Sequence, residues 1–308
     1  MKIGIDIGGS HVGIGLVDEF GNIQQKKEKY IVEKIENESQ ISKKNLKEEI
    51  TQFIIQTIKE YQKMDFVENV GIAVPGTVNQ TTIIKAVNLG IENYDLVAIL
   101  QNNLIKAGYT INIKMKNDGK CAALAEQKYG ALAGYDNSVF LCIGTGVGSA
   151  VIFDGKLLEA KNVPGFEFSH TIIHRNGAAC NCGKRGCFEV YASLKRFKEK
   201  IVKEFNLKSI NGECVRDFIR KNSDNPTLRY MINSYIEDLS IGISNIINIF
   251  EPEAICLGGS FAEYEGILYE PLKNALINGN LLFNKRCDII IKLAKLKNDA
   301  GIIGATLI

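Results

Sequence analysis

The sequence predicts an α/β protein made of two domains of similar topology. Three observations carry this reading. Apolar strand-like runs alternate with helix-period patterns along most of the chain. A strand, a glycine turn, a second strand and a hairpin turn open it at Ile5-Asp6-Ile7-Gly8-Gly9-Ser10 and Asp18-Glu19-Phe20-Gly21. That order returns at residues 138–155, with Gly144 standing 136 positions after Gly8. The length of 308 residues also exceeds what one core usually fills, about 250–300 residues.

Composition narrows the function classes. With 45% hydrophobic and 23% charged residues the chain is neither disordered nor fibrous. Its 37 basic and 35 acidic side chains leave a net charge of +2. That balance lacks the clustered basic surface that binding nucleic acid by bulk electrostatics requires. The densest charge run, residues 24–49, mixes both signs and reads as solvated faces. No apolar stretch approaches the roughly 18–20 residues of a membrane span. The first residues turn at Gly8-Gly9 instead of forming the apolar region of a signal peptide. The expectation is a cytoplasmic protein without nucleic-acid or membrane partners, whose eight cysteines stay reduced.

The elements follow in order. Strands at 2–8 and 11–18 flank Gly8-Gly9-Ser10, and Gly21-Asn22 turns into a third strand at 23–31. A helix at 40–62 carries Leu46, Ile50, Phe53, Ile54 and Ile58 at three- and four-residue spacing. A strand at 70–74, the Pro75-Gly76 turn, a helix at 96–107 and a strand at 111–115 lead to Asn117-Asp118 and a helix of small residues at 119–130. Next come strands at 138–143 and 148–153 around Gly144-Thr145-Gly146, with Asp154-Gly155 as a hairpin turn. A long helix at 228–250, a strand at 254–257, Gly258-Gly259-Ser260 leading into another helix, a strand at 288–293 and a final helix at 301–308 complete the chain. No Pro/Ser-rich linker parts the halves, which places a hinge near residues 117–134.

Three glycine turns therefore each follow a strand, at Gly8-Gly9-Ser10, Gly144-Thr145-Gly146 and Gly258-Gly259-Ser260. Successive N–H groups with a hydroxyl form an anion-binding concavity. Any one alone is an ordinary turn, whereas three, two of them at equivalent positions of the repeat, favour phosphate. None matches the P-loop or the full dinucleotide fingerprint. Asn117-Asp118 sits where a strand hands over to a helix, the usual place for ligand groups in α/β sheets. Asp118 is either a helix N-cap or a general base. Asp6, between two isoleucines, bonds turn amides or orients Mg²⁺ and phosphate.

Cys180, Cys182 and Cys187 fall within eight positions, ten residues and more after His170. One imidazole and three thiolates make the tetrahedral set of a structural zinc site, and Gly177, Gly183 and Gly186 let the short loops close. A nucleophilic cysteine or a cytosolic disulfide fits that crowding less well, and His174 is an alternative nitrogen ligand. Glu167 and Glu189 bracket this loop, so a bound metal would fix where both carboxylates point.

Asp6-Ile7-Gly8-Gly9-Ser10, Asn117-Asp118-Gly119 with Ala122-Ala123-Leu124-Ala125-Glu126, and Glu167-x-x-His170 with Cys180-x-Cys182-Gly183-x-x-Gly186-Cys187-x-Glu189 resemble the ROK family of sugar kinases and repressors. Pro75-Gly76, Asn88-Leu89 and Asp299-Ala300-Gly301-x-x-Gly304-Ala305 extend the match end to end. The run from Asn117 to Glu126 is most similar to N-acetylmannosamine kinases, beside glucokinase- and fructokinase-like members.

The resemblance implies a two-lobed, actin-like, hexokinase-type (RNase H-like) ATPase fold with a duplicated domain and a cleft between lobes. One lobe would span residues 1–117 with a returning helix at 298–308, and the other residues 118–297. It implies an ATP-dependent kinase in which Asp118 activates a sugar hydroxyl, the 6-hydroxyl of a hexose or N-acylhexosamine. Gly76, Asn88, Asn117, Asp118, Glu167, His170 and Glu189 would hold the sugar. Asp6, Gly8, Gly9, Ser10, Gly144, Thr145, Gly146, Gly258 and Gly259 would hold ATP with Mg²⁺. His170, Cys180, Cys182 and Cys187 would bind a structural zinc, His170 being the family's choice over His174. A homodimer is implied as well. The alternatives are a sugar-binding protein without kinase activity and a sugar-responsive transcription regulator. Family repressors carry a DNA-binding region before the first glycine motif, for which residues 1–4 leave no room. Phe166 and Ser169 stand where the family usually has glycine, and residues 160–163 replace its upstream glycine-rich stretch, so the sugar pocket is expected to differ from that of ordinary glucokinases.

Overall fold

The computed structural model describes residues 1–31, 40–160, 165–278 and 289–308, and two units emerge from it, each built on its own five-stranded sheet. The first unit comprises Met1–Ala133 together with Asn298–Ile308. It begins with β1 (Lys2–Ile7), β2 (His11–Val17) and β3 (Ile23–Tyr30), followed by α1 (Gln40–Met64) and β4 (Asn69–Val74). Three short strands come next, β5 (Thr77–Val78), β6 (Ile83–Ala86) and β7 (Ile91–Tyr94), then α2 (Leu96–Lys106), β8 (Asn112–Asn117) and α3 (Asp118–Tyr129). The sheet order is β3-β2-β1-β4-β8.

The second unit comprises Gly134–Glu159 together with Phe166–Lys297. Its elements are β9 (Ser138–Ile143), β10 (Val147–Phe153), β11 (Lys156–Leu157), α4 (Phe188–Ala192), α5 (Leu194–Glu204), α6 (Gly212–Lys221), α7 (Pro226–Phe250), β12 (Ala254–Gly258), α8 (Glu270–Asn278) and β13 (Ile290–Leu293). Its sheet runs β11-β10-β9-β12-β13. In each unit the first strand pairs antiparallel with the second and parallel with the fourth in space. The glycine turns sit at matching places, between Ile7 and Val12 and between Ile143 and Val147. The duplication expected from the recurring motif is therefore present strand for strand.

Local chemistry accounts for these elements. Leu46, Ile50, Ile54 and Ile58 of α1 are all buried, as their spacing required. Asn225 caps α7 by accepting from the Leu228 amide at 3.0 Å, with Pro226 in the first turn. Asp154 and Gly155 both have positive φ, 49° and 70°, as a two-residue turn joining β10 to β11 demands.

The chain closes with α9 (Ala300–Ala305), which packs within the first unit on β1 and α3. Backbone meets backbone there: a Cβ at Gly71 would lie 1.6 Å from the Ala305 carbonyl oxygen, and one at Gly304 1.8 Å from that of Cys121. This contact keeps α3 with the first unit, whereas the sequence placed the boundary ahead of Asp118. Three further differences concern elements within the units. The β5-β6-β7 sheet was not foreseen, because strands of two to four residues carry too little period to read. Helices α4, α5 and α6 were unassigned. A 3₁₀ helix at Gly259–Tyr264 and a π turn at Glu265–Tyr269 stand between β12 and α8, where a direct helix start was expected. Residues 161–163 of the substituted glycine-rich stretch, and the first two positions of the strand expected at 288–293, stand apart: the former and residue 288 lie outside the described residues. No helix among the described residues is long and apolar enough to cross a membrane.

Candidate active site

In the first unit the site is built at the end of β8. Asn117, the last residue of that strand, accepts from the Lys120 amide through Oδ1 at 3.2 Å and so caps α3. Its Nδ2 donates to the Gly76 carbonyl at 3.1 Å. The N-cap that the sequence offered to Asp118 thus belongs to Asn117. Asp118 is instead the first helical residue, with Oδ1 accepting from the neighbouring Gly119 amide at 2.8 Å.

Burial raises the Asp118 pKa, against the lowering effect of the Gly119 amide. Asp6, on β1, is pushed up to about 7, first by burial and then by repulsion from Asp118, with Lys26 pulling the other way. Two carboxylates thus share one desolvated environment. The Gly8-Gly9-Ser10 turn follows Asp6 directly, its Gly8 amide donating to the His11 carbonyl at 2.9 Å and its Ser10 hydroxyl paired with His11 Nδ1 at 3.2 Å. Asn88 stands beside that turn, its Cβ 3.8 Å from where a Cβ on Gly9 would lie. Gly9, Ser10, Gly76 and Asn88 are all exposed.

The second unit brings the other two glycine turns together. A Cβ on Gly144 would be 3.6 Å from Ser260 Oγ, and Gly259, at φ +69°, lies against the Ile143 backbone. Thr145 is exposed at the crest of its turn. The Lys195 amide at the start of α5 donates to the Gly144 carbonyl at 3.1 Å. Glu189, in the first turn of α4, accepts from the Val147 amide at 3.1 Å, close enough to Gly146 that a Cβ there would sit 2.5 Å from Oε2. The predicted sugar carboxylate is therefore tied to a predicted phosphate turn.

His170, Cys180, Cys182 and Cys187 converge as expected, with all four ligand atoms within 4.8 Å of one another. The Cys182 and Cys187 sulfurs are 3.6 Å apart, and the Cys180 sulfur is 3.7 Å from His170 Nδ1. A tetrahedral zinc with ordinary bond lengths needs edges of about 3.8 Å between sulfurs and about 3.6 Å between sulfur and nitrogen. The donor set and its spacing fit that ion. Burial pushes the Cys187 thiol up to about 12, a cost that a coordinated dication reverses. His170, not His174, supplies the nitrogen of the converging set; the His174 Nε2 lies 2.6 Å from Asp238 Oδ1, and its ring packs on Tyr191.

Glu167 is exposed, and the backbone around it is sharply bent. Phe166 has φ +60°, and Glu167 follows at φ −89°, ψ 77°, an inverse γ-turn closed by the Phe168 amide on the Phe166 carbonyl at 3.2 Å. The Ser149 hydroxyl donates to that same carbonyl at 3.1 Å. Ser149 was absent from the residues singled out by sequence; its signal was a lone hydroxyl in the apolar run of β10.

The chain matches the ROK family across residues 2–308. It is 28% identical over 321 residues to a glucokinase of Thermotoga maritima, covering 99% of this chain and 96% of that protein. It is 29% identical over 276 residues to the xylose repressor of Bacillus subtilis, covering 89% of this chain and 67% of the repressor. In three dimensions it aligns with a ROK family glucokinase from Streptomyces griseus in complex with glucose and AMPPNP, at a TM-score of 0.78 and 23% identity, over 99% of this chain and 97% of that one. The fold is accordingly that of the ROK sugar kinases, the actin-like ATPase fold.

Proposed function

The chain belongs to the ROK family, and from that premise we propose that it is an ATP-dependent carbohydrate kinase acting on the 6-hydroxyl of a hexose or N-acylhexosamine. The observation that carries the proposal is Asp118. Its neighbour Asn117 has taken over the capping of α3, so the Asp118 carboxylate is left at the strand–helix junction with a pKa that burial raises. A carboxylate lifted in this way is a better proton acceptor near neutral pH than an ordinary surface aspartate.

In the reaction Asp118 takes the proton of the acceptor hydroxyl as its oxygen attacks the γ-phosphorus. The bond from phosphorus to the bridging oxygen breaks, and ADP leaves with the electron pair. The remaining sugar hydroxyls are assigned to Gly76, Asn88 and Asn117 of the first unit and to Glu167, His170 and Glu189 of the second. The amides of Gly8-Gly9-Ser10, Gly144-Thr145-Gly146 and Gly258-Gly259 hold the nucleotide. Asp6 would hold Mg²⁺ with ATP, and that ion would supply charge neutralisation for the transferred phosphoryl group. Zinc at His170 and the three cysteines supplies rigidity, fixing the chain on both sides of Glu167 and Glu189.

ADP release measured with Mg·ATP and a panel of glucose, mannose, fructose, allose, N-acetylmannosamine, N-acetylglucosamine and a β-glucoside tests the reading. One sugar should turn over strongly. The Asp118→Ala variant should lose kcat by about 10²–10⁴-fold while still binding that sugar. Turnover retained in the variant removes Asp118 as the base, and silence of the folded, zinc-loaded protein across the panel leaves a binding-only protein.

A further inference from the structure

Among the described residues seven non-glycine residues have positive φ, and Phe166 is the one aromatic among them. At φ +60° its Cβ crowds the backbone, a conformation that bulky side chains avoid and glycine adopts freely. The surrounding structure holds it there, with the Ser149 hydroxyl at 3.1 Å and the Phe168 amide at 3.2 Å both on the Phe166 carbonyl. Phe168 is itself anchored edge-on against Phe250, with ring centroids 5.1 Å apart. Yet the ring so positioned is not used for the core: Phe166 is 37% exposed. Backbone strain that brings no burial in return marks a side chain kept for something outside the fold.

Its position says what that is. Phe166 directly precedes Glu167, and four residues later comes His170 of the Cys/His cluster. The carbonyl anchor is Ser149, two positions along β10 from Val147, whose amide holds Glu189. Along a strand that separation is about 7 Å. The Phe166 backbone is thus tied to the same short stretch of strand as the Glu189 carboxylate, one residue ahead of Glu167, the other carboxylate assigned to the sugar. Those carboxylates bond hydroxyls. A phenyl ring offers nothing to a hydroxyl but packs well on C–H surface.

We infer that Phe166 is a specificity-determining residue that packs its ring against the C–H surface of the bound sugar. The inference rests on the kinase reading above and names a residue that reading does not use. The contacted surface is either the apolar face of the pyranose ring or the methyl of an N-acyl substituent.

The test compares wild type with Phe166→Gly and Phe166→Tyr on the best sugar of the panel, and on its counterpart with or without the N-acetyl group. Phe166→Gly relieves the backbone and removes the ring, so it should keep or raise Tm while raising KM for sugar at least tenfold with kcat little changed. Phe166→Tyr, which keeps the ring, should restore KM. An N-acetyl preference that collapses in Phe166→Gly places the acyl group on the ring; equal losses for both sugars place the pyranose face there. KM within twofold of wild type in Phe166→Gly overturns the inference, as does a lowered Tm with unchanged KM, which makes the ring a packing group. Wild-type protein that neither binds nor phosphorylates any sugar overturns the kinase reading, and the Phe166 role with it.

Discussion

The Asp6 carboxylate lies directly against Gly301: a Cβ at that glycine would stand 2.3 Å from Asp6 Oδ2. The two residues come from opposite ends of the sequence, one on the first strand and one in the closing helix α9. Their contact makes the C-terminal segment a wall of the environment that shifts Asp6.

Gly301→Ala should therefore destabilise the protein by about 1–3 kcal/mol, the usual cost of overpacking. Thermal unfolding reads the loss. In the double variant with Asp6→Ala most of the penalty should disappear, since the carboxylate is what the new methyl meets. Strictly additive effects would show that the strain lies elsewhere.

Asp6 also sets a pH dependence. Its pKa moves from 3.8 to about 7 on folding. Between those values the folded chain keeps a proton that the unfolded chain has released. Its contribution to stability is full below the lower value, falls as pH rises and is gone above about 7. The metal- and nucleotide-free protein should thus have a lower Tm at pH 8 than at pH 5. Asp6→Asn should flatten much of that fall, leaving the part due to Asp118, which burial also raises. Identical pH profiles for the two proteins would contradict the assignment.

Zinc should be present at one equivalent per chain by elemental analysis. Cys182 is the exposed member of the cluster, so Cys182→Ser changes little packing and removes one thiolate. The variant should lose most of its zinc and some of its thermal stability, and its KM for sugar should rise as Glu167 and Glu189 lose their fixed directions. Full zinc content with an unchanged KM would detach the cluster from the sugar site.

Glu189 bonds the Val147 amide of a glycine turn while standing next in line but one to Cys187. Glu189→Ala removes a charged acceptor, worth about 1.5–3 kcal/mol, and should raise KM for both sugar and ATP by about tenfold or more. Glu189→Gln keeps an oxygen for Val147, so the ATP effect should largely vanish while the sugar effect persists. Steady-state kinetics with each substrate varied in turn separates the two; an ATP effect as large in Gln as in Ala would break the link to the turn.

The sequence alone determined what short-range chemistry can write. Glycine turns between apolar strands declared themselves twice, and the second copy predicted the duplicated sheet. Three cysteines, a histidine and the glycines among them declared a metal loop, because ligand type and spacing are local properties. What only the tertiary structure decided depends on groups distant in sequence. His170 was separated from His174 because the fold brings His170, and not His174, to the three cysteines. Asn117 took the cap from Asp118 through its orientation toward Lys120 and Gly76. Asp6 acquired its shifted pKa from the desolvation that the packed first unit imposes and, after that, from repulsion by Asp118. Phe166 read as one more substituted glycine until the Ser149 hydroxyl, from a strand seventeen residues earlier, was found holding its carbonyl in place. Periodicity and spacing fix which groups a chain offers; packing fixes which of them are desolvated, capped or strained, and the chemistry follows from that.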